Sequence, residues 1–257
     1  MSGTYVLITG AGGGIGSAMA IEFASRGYNL ILSARTTKSL APILENLSEY
    51  PVKVASVCAD LTAIDGPDLI VKELRTRKIN VAYLVNNAGF GEFGAFESSD
   101  NAMLMGMIDV NVRSLTSLTK LLLPQIIEQK GGILNVASVA GFMPGPMKAV
   151  YFASKAYVLS FSLALKQELV GSVHVSVLCP GPTKSRFWAS TASMKRARYS
   201  QVTFMTSERV AKVAVTQFLK GKGIITPGFL NKANTLFPRL VPGTIMAKIV
   251  DTLFSLR

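Results

Sequence analysis

The chain has few of the residues that build metal centres and covalent crosslinks: one histidine and two cysteines in 257 residues. A lone histidine inside an apolar run, His174, reads as a structural residue, so no metal site is expected. Cys58 and Cys179 each sit in a β-like apolar run and read as small buried hydrophobes, not as a disulfide. No apolar run reaches the roughly 18 residues that crossing a bilayer takes. No basic-then-apolar leader precedes Thr4-Tyr5-Val6-Leu7-Ile8, which already reads as a first strand. A cytoplasmic protein is expected, at most attached to a membrane at its periphery.

Acidic residues are scarce in one half only. Residues 1–130 carry 11 Lys/Arg against 12 Asp/Glu, whereas residues 131–257 carry 16 against 3. Such a one-sided positive field suits phosphorylated ligands, acidic protein partners or anionic lipid. Nucleic acid is not expected, because the basic residues interleave with an apolar chain that matches no nucleic-acid module.

Strands alternate with helical runs along the chain. Tyr5-Val6-Leu7-Ile8 enters Thr9-Gly10-Ala11-Gly12-Gly13-Gly14-Ile15-Gly16, and helical spacing follows from Ser17. Glycines between a buried strand and a helix let the backbone approach a pyrophosphate at the helix N-terminus. Further strands are read at Asn29–Ser33, Val52–Cys58, Ala82–Val85, Gly132–Ala137, His174–Leu178 and Gly223–Gly228. The alternation predicts an α/β class, single-domain Rossmann fold: a doubly wound parallel sheet with helices on both faces. Its ligand would lie over the carboxyl ends of the strands, where Gly10, Arg35, Asp60 and Asn87 fall. A carboxylate after the second strand would hold the ribose hydroxyls of NAD. Here Arg35 follows a neutral residue, which favours NADP over NAD, with Ser33 and Thr36 as further donors; the alternative is a solvated arginine at a strand end.

Tyr151 and Lys155 stand four residues apart at the start of an apolar helical run, so both side chains leave one helix face. A neighbouring ammonium favours the anionic form of a phenol, which makes Tyr151 a candidate general acid or base. Asn111 lies in a long apolar helix, where an asparagine either meets solvent or satisfies a backbone break. Ser138 ends the fifth strand.

Together these residues resemble the short-chain dehydrogenase/reductase family over about residues 4 to 228. The motifs are Thr9-Gly10-x-x-x-Gly14-Ile15-Gly16, Asp60, Asn86-Asn87-Ala88-Gly89, Asn111, Ser138, Tyr151-x-x-x-Lys155 and Pro180-Gly181. The resemblance implies a nicotinamide cofactor bound by Gly10, Gly12, Gly13, Gly14, Ile15, Gly16, Arg35, Asp60, Leu61, Asn87, Ala88 and Gly89. Tyr151, Lys155, Pro180, Gly181 and Thr183 complete that set. It implies a catalytic group of Asn111, Ser138, Tyr151 and Lys155. In it Tyr151 gives a proton to the developing alkoxide, Lys155 holds the nicotinamide ribose, and Ser138 hydrogen-bonds the substrate oxygen. Asn111 holds the helix break and a water joined to Lys155. A homo-oligomer, dimer or tetramer, is implied as well.

The expected activity is NADPH-dependent reduction of an apolar ketone or a 3-oxoacyl thioester. The alternatives are an oxidative dehydrogenase of a lipophilic secondary alcohol and a non-catalytic NADP-sensing protein. Phe187 and Trp188, with Phe90, Phe142, Met143 and Met147, would make an apolar pocket. The basic residues between Lys184 and Arg198 would meet the phosphates of an acyl-CoA or the acidic face of acyl carrier protein. Those residues read equally well as lid packing and solvated charges. Residues 1–228 read as the dinucleotide-binding domain with its catalytic site, and residues 229–257 as a basic amphipathic extension of it. From Thr244 to Arg257 the apolar residues fall on one helical face, to lie on a membrane, cap the pocket or join a subunit interface.

Overall fold

The computed structural model describes residues 3–184 and 204–254. The chain begins β1 (Tyr5–Thr9), α1 (Gly14–Ala24), β2 (Asn29–Ala34), α2 (Thr37–Leu47), β3 (Val54–Cys58), α3 (Gly66–Thr76) and β4 (Val81–Asn86). It continues α4 (Asn101–Ile108), α5 (Leu115–Glu128), β5 (Gly132–Val136), α6 (Ala149–Glu168) and β6 (His174–Leu178). A short pair, β7 (Thr183–Lys184) and β8 (Met205–Thr206), precedes α7 (Ser207–Phe218) and β9 (Ile224–Ile225). Two helices end it, α8 (Phe229–Leu236) and α9 (Gly243–Phe254). Among the described residues seven strands form one parallel sheet in the order β3-β2-β1-β4-β5-β6-β9. The order reverses between β1 and β4, which opens a crevice at their carboxyl ends. This is the Rossmann fold read from the sequence.

The strands are apolar at successive positions because both faces of the sheet are covered. Val6, Ile8, Leu30 and Leu32 pack against Met19 and Phe23 of α1, Leu40 of α2 and Phe218 of α7. Leu7, Ile31, Leu84 and Ile133 point the other way, into Ile70 of α3 and Leu118 and Leu122 of α5. Burying each such side chain stabilises the fold by about 1.5–3 kcal/mol. His174, at the start of β6, packs against Phe218 and Tyr83, with ring centroids 4.8 and 5.9 Å away. Burial lowers its pKa.

Cys179 is buried, but Cys58 is exposed, contrary to the reading of both as buried hydrophobes. Cys58 is the last residue of the edge strand β3, which has a neighbouring strand on one side only. The apolar alternation of a strand does not report whether its end is covered. The described part of residues 229–257 holds two helices, α8 and α9. Among the described residues no helix is long and apolar enough to cross a membrane.

A buried polar ladder runs through the middle layer. The Asn86 amide donates to Thr119 Oγ1 (2.9 Å) and Asn135 Oδ1 (2.8 Å), and the Asn135 amide donates to Ser162 Oγ (2.9 Å). It ties β4, β5, α5 and α6 at one depth, because each group left without its partner would cost about 1–3 kcal/mol. In α6 Tyr151, Ser154, Lys155, Val158, Leu159, Ser162 and Leu165 turn inwards at helical spacing. The ladder therefore fixes the rotation of the helix that carries Tyr151 and Lys155.

Candidate active site

At the crevice, β1 leaves through a turn that only glycine fits. Gly10 and Gly14 have φ of +65° and +57°, in the left-handed region. A Cβ on Gly16 would come within 2.4 Å of the Gly10 carbonyl oxygen and 2.5 Å of the Asn87 amide nitrogen. Asn87 donates to the carbonyls of Thr9 (2.9 Å) and Gly10 (3.1 Å), and Thr9 Oγ1 accepts from the amides of Asn87 and Ala88. The turn is thus stitched to the end of β4. No described side chain caps the N-terminus of α1, which starts at Gly14 after Gly13. A polyanion approached by a glycine-lined turn and a helix end fits this cradle, as the pyrophosphate of a dinucleotide does.

Arg35 is exposed at the end of β2, and the Ser33 hydroxyl beside it is buried without a hydrogen-bond partner among the described residues. Thr36 caps α2, its hydroxyl accepting from the Ser39 amide at 3.3 Å. Asp60 accepts from the Thr62 amide and hydroxyl at 2.9 and 2.8 Å. Those two bonds, with Arg35 nearby, hold its carboxyl below the usual carboxylate range. Leu61 turns its side chain into the core, so its main chain is the part that can meet a cofactor.

The chain between α4 and α5 widens into a π turn over Asp109–Ser114 that carries Asn111. Asn111 is buried with both amide hydrogens used: they donate to Phe90 O and Ser154 Oγ, both at 3.0 Å, and its Oδ1 accepts from the Phe90 amide at 3.1 Å. Of the two fates open to it, it satisfies the break. Ser154 Oγ donates in turn to the Tyr151 carbonyl at 2.8 Å. A point at the Cβ position of Gly89 lies 2.9 Å from Asn111 Oδ1 and 3.4 Å from Lys155 Nζ, so these two groups converge on one place. Lys155 is almost wholly buried and donates to the Val136 carbonyl at 2.9 Å. Burial brings its pKa down to about 8, while the Cys179 thiol nearby, itself pushed up to about 12 by burial, stays neutral. The ammonium sits 5.9 Å from the Tyr151 ring centre. Ser138 Oγ accepts from the Ala140 amide at 3.1 Å and reaches the Pro180 carbonyl at 3.4 Å. Thr183 Oγ1 donates to the Gly181 carbonyl at 3.0 Å.

The Tyr151 ring packs edge-on to Phe152 and against Gly91, where a Cβ would meet it at 2.7 Å. Around it close Phe93, Met107 and Ala140, with Phe90, Met143 and Met147 part-buried alongside. Met246 and Val250 of α9 complete this cluster with Ile249 part-buried beside them, so these three of the apolar residues read at 244–257 turn in over the site, whereas Ile245 is exposed. Phe142 does not join it. That ring packs with Ala137, Val158 and Cys179, and Arg239 lies over it at 5.5 Å. Phe187, Trp188 and the basic residues from Arg186 to Arg198 lie outside the described residues.

Two side chains went unforeseen. Lys148, three residues before Tyr151, is buried with its ammonium 5.3 Å over the Phe93 ring, and burial draws its pKa to about 8. Asn231 of α8 presses on Gly181, where a Cβ would lie 2.1 Å from its Oδ1. Nothing local in the sequence marks Asn231; a lysine among apolar residues was the available signal for Lys148.

Known proteins share this architecture. Residues 4–196 match the family model described as short chain dehydrogenase. The very-long-chain 3-oxoacyl-CoA reductase-B of Danio rerio is 30% identical over 96% of this chain and 76% of its own length. The 11-beta-hydroxysteroid dehydrogenase 1A of Arabidopsis thaliana is 35% identical over 71% of this chain, which spans only 53% of that longer protein. A short-chain dehydrogenase from Sphingobium yanoikuyae in complex with NADPH superposes with a TM-score of 0.80 at 28% identity, covering 93% of this chain and 96% of the other. A short-chain dehydrogenase/reductase from Burkholderia phymatum in complex with NAD gives 0.79 at 25%, covering 91% and 92%. The chain belongs to the short-chain dehydrogenase/reductase family and is an oxidoreductase that binds a nicotinamide cofactor.

Proposed function

We propose that the chain is an NADPH-dependent reductase of an apolar ketone or a 3-oxoacyl thioester. The observation that carries this reading is the placement of Tyr151 one helical turn from the buried Lys155, at the wall of an apolar cluster beside the glycine cradle. NADPH, when bound, supplies the hydride. Tyr151 gives its phenolic proton to the substrate oxygen as charge develops there. Lys155, charged below pH of about 8, favours the phenolate left behind and holds the ribose. Ser138 donates to the same oxygen and steadies it. Asn111 holds a water through which Lys155 and Tyr151 regain a proton, the convergence at Gly89 being the geometric support.

Arg35, with no carboxylate after β2, supports NADP over NAD. The cluster of Phe93, Met246 and Val250 beside Tyr151 supports an apolar substrate, and the name of the Danio relative supports a 3-oxoacyl thioester. The excess of basic residues in the carboxyl half suits the phosphates of coenzyme A or an acyl carrier protein. A homo-oligomer is part of this proposal by family likeness. The test is an NADPH-oxidation screen over ketones and 3-oxoacyl thioesters of graded chain length. Turnover that rises with chain length is expected. A protein that binds NADPH yet neither reduces these carbonyls nor oxidises the matching alcohols would sink the reading.

A further inference from the structure

The two terminal helices are amphipathic in opposite senses. α9 turns Met246 and Val250 towards Tyr151 and Phe152, as a helix packed on its own body does. α8 is inverted. Thr235 is buried, and the part-buried Asn231 donates to the Pro227 carbonyl at 2.7 Å while it presses on Gly181. The polar side of α8 is therefore the side that faces the protein. On the other side of α8 stand Phe229, Ala233 and Leu236, at intervals of four and three residues and flanked by Leu230, and Phe237 and Leu240 follow in the 3-10 turn Phe237–Arg239 and at its end. Phe229 is 85% exposed, Leu230 73% and Leu240 84%. Scattered exposed apolar residues are ordinary, but a contiguous helix face of them marks a surface that something covers.

The charges around this face say what covers it. Lys232 and Lys248 are exposed within residues 229–254, Arg239 is exposed with its guanidinium over Phe142, Asp251 is the one acid there, and the whole carboxyl half is basic. A second copy docking here through a two-fold axis would set this basic patch against the same basic patch, with no acidic surface to complement it, which opposes association. An anionic bilayer offers both complements, headgroups for the cations and acyl chains for the phenylalanines and leucines. We propose that α8 and the 3-10 turn after it dock in the plane of an anionic lipid surface with Phe229, Leu230, Leu236, Phe237 and Leu240 in the headgroup and acyl boundary. The proposal goes beyond the reductase reading and does not rest on it, since a chain with no turnover would still bind.

The test is cosedimentation of the full chain with vesicles of phosphatidylcholine alone or of phosphatidylcholine and phosphatidylglycerol in equal parts. Binding is expected to the phosphatidylglycerol vesicles and to weaken as salt is added. The double variant Phe229→Ser, Leu240→Ser removes two side chains that touch little of the protein, so its melting temperature should stay at the parent value. Its partition should fall by at least about tenfold. Lys232→Glu should weaken binding several-fold to the anionic vesicles and leave the neutral ones unchanged. Reduction of a water-soluble ketone, where measurable, should be unaffected by either variant. Absence of sedimentation overturns the proposal, as does equal sedimentation of parent and double variant. A lipid-free dimer seen by light scattering and abolished by the double variant would assign the face to a second copy and likewise overturn it.

Discussion

On the side of the cleft made by β1, β2 and β4, the contacts run largely through main chain. Gly10 and Gly16 exist to let carbonyls and amides come close, and Asn87 ties two strand ends by bonding to backbone. The opposite side is made of side chains gathered from four stretches: Phe93 after β4, Met107 in α4, Tyr151 in α6, and Met246 and Val250 in α9. A surface that grips a ligand common to many proteins can be fixed by backbone geometry. A surface that selects a substrate has to be assembled by packing.

Removing the shared element of the two sides should have the largest effect. Tyr151→Phe keeps the ring in its apolar cluster and deletes the hydroxyl. Turnover is expected to fall by about 10²–10⁴-fold with NADPH affinity unchanged, read by single-turnover kinetics and a fluorescence titration. Substantial residual turnover would take the tyrosine out of its role. On the backbone side, Gly16→Ala must displace the Gly10 carbonyl or Asn87, a strain of roughly 1–3 kcal/mol. Cofactor affinity should drop by about ten- to hundredfold, whereas Gly243→Ala, whose Cβ meets nothing within 4 Å, should leave it alone. Equal effects would mean that the cradle is not built as described.

This asymmetry also explains what the sequence disclosed. The glycine turn, the alternation of strands with helices and the Tyr151 helix follow from local rules: positive φ, apolar runs, four-residue spacing. Asn111 was legible as an anomaly, a poor helix former inside a helix, although its bonds to Phe90 and Ser154 were not. Hidden from the sequence were facts that depend on which remote element arrives. Phe142 packs away from the cluster, Cys58 ends the edge strand of the sheet, and α8 shows its apolar side to the outside. The Asn86, Asn135 and Ser162 ladder is similar: each is an oddity in an apolar run, and only the fold makes them partners.

Two intermediate effects sharpen the comparison. Arg35→Ala should weaken NADPH binding about tenfold and leave NADH untouched, because an exposed guanidinium can lose only a charge-assisted bond to the 2′-phosphate. Equal loss for both cofactors, or none, removes Arg35 from recognition. Lys155 ties the two sides electrostatically. Its pKa, lowered to about 8 by burial, places the loss of its charge more than two pH units below that of a solvated lysine. As pH rises through about 8 the ammonium that favours the phenolate disappears, so kcat/KM for reduction should fall, and a profile flat from about pH 7 to 10 would break the link.

The smallest effect is the most diagnostic of the substrate side. Met246 and Val250 reach the Tyr151 cluster from a helix that contributes nothing to the glycine cradle. Met246→Ala shortens one contact without touching a hydrogen bond or a charge. A long-chain ketone should lose about three- to tenfold in kcat/KM, a short one almost nothing, and NADPH affinity should stay constant, since a few buried methylenes are worth about 1 kcal/mol or somewhat more. If long and short substrates suffer alike, α9 braces the fold and does not read the substrate. If cofactor affinity moves too, the two sides are coupled mechanically through α6, and the separation of backbone grip from side-chain selection does not hold for this protein.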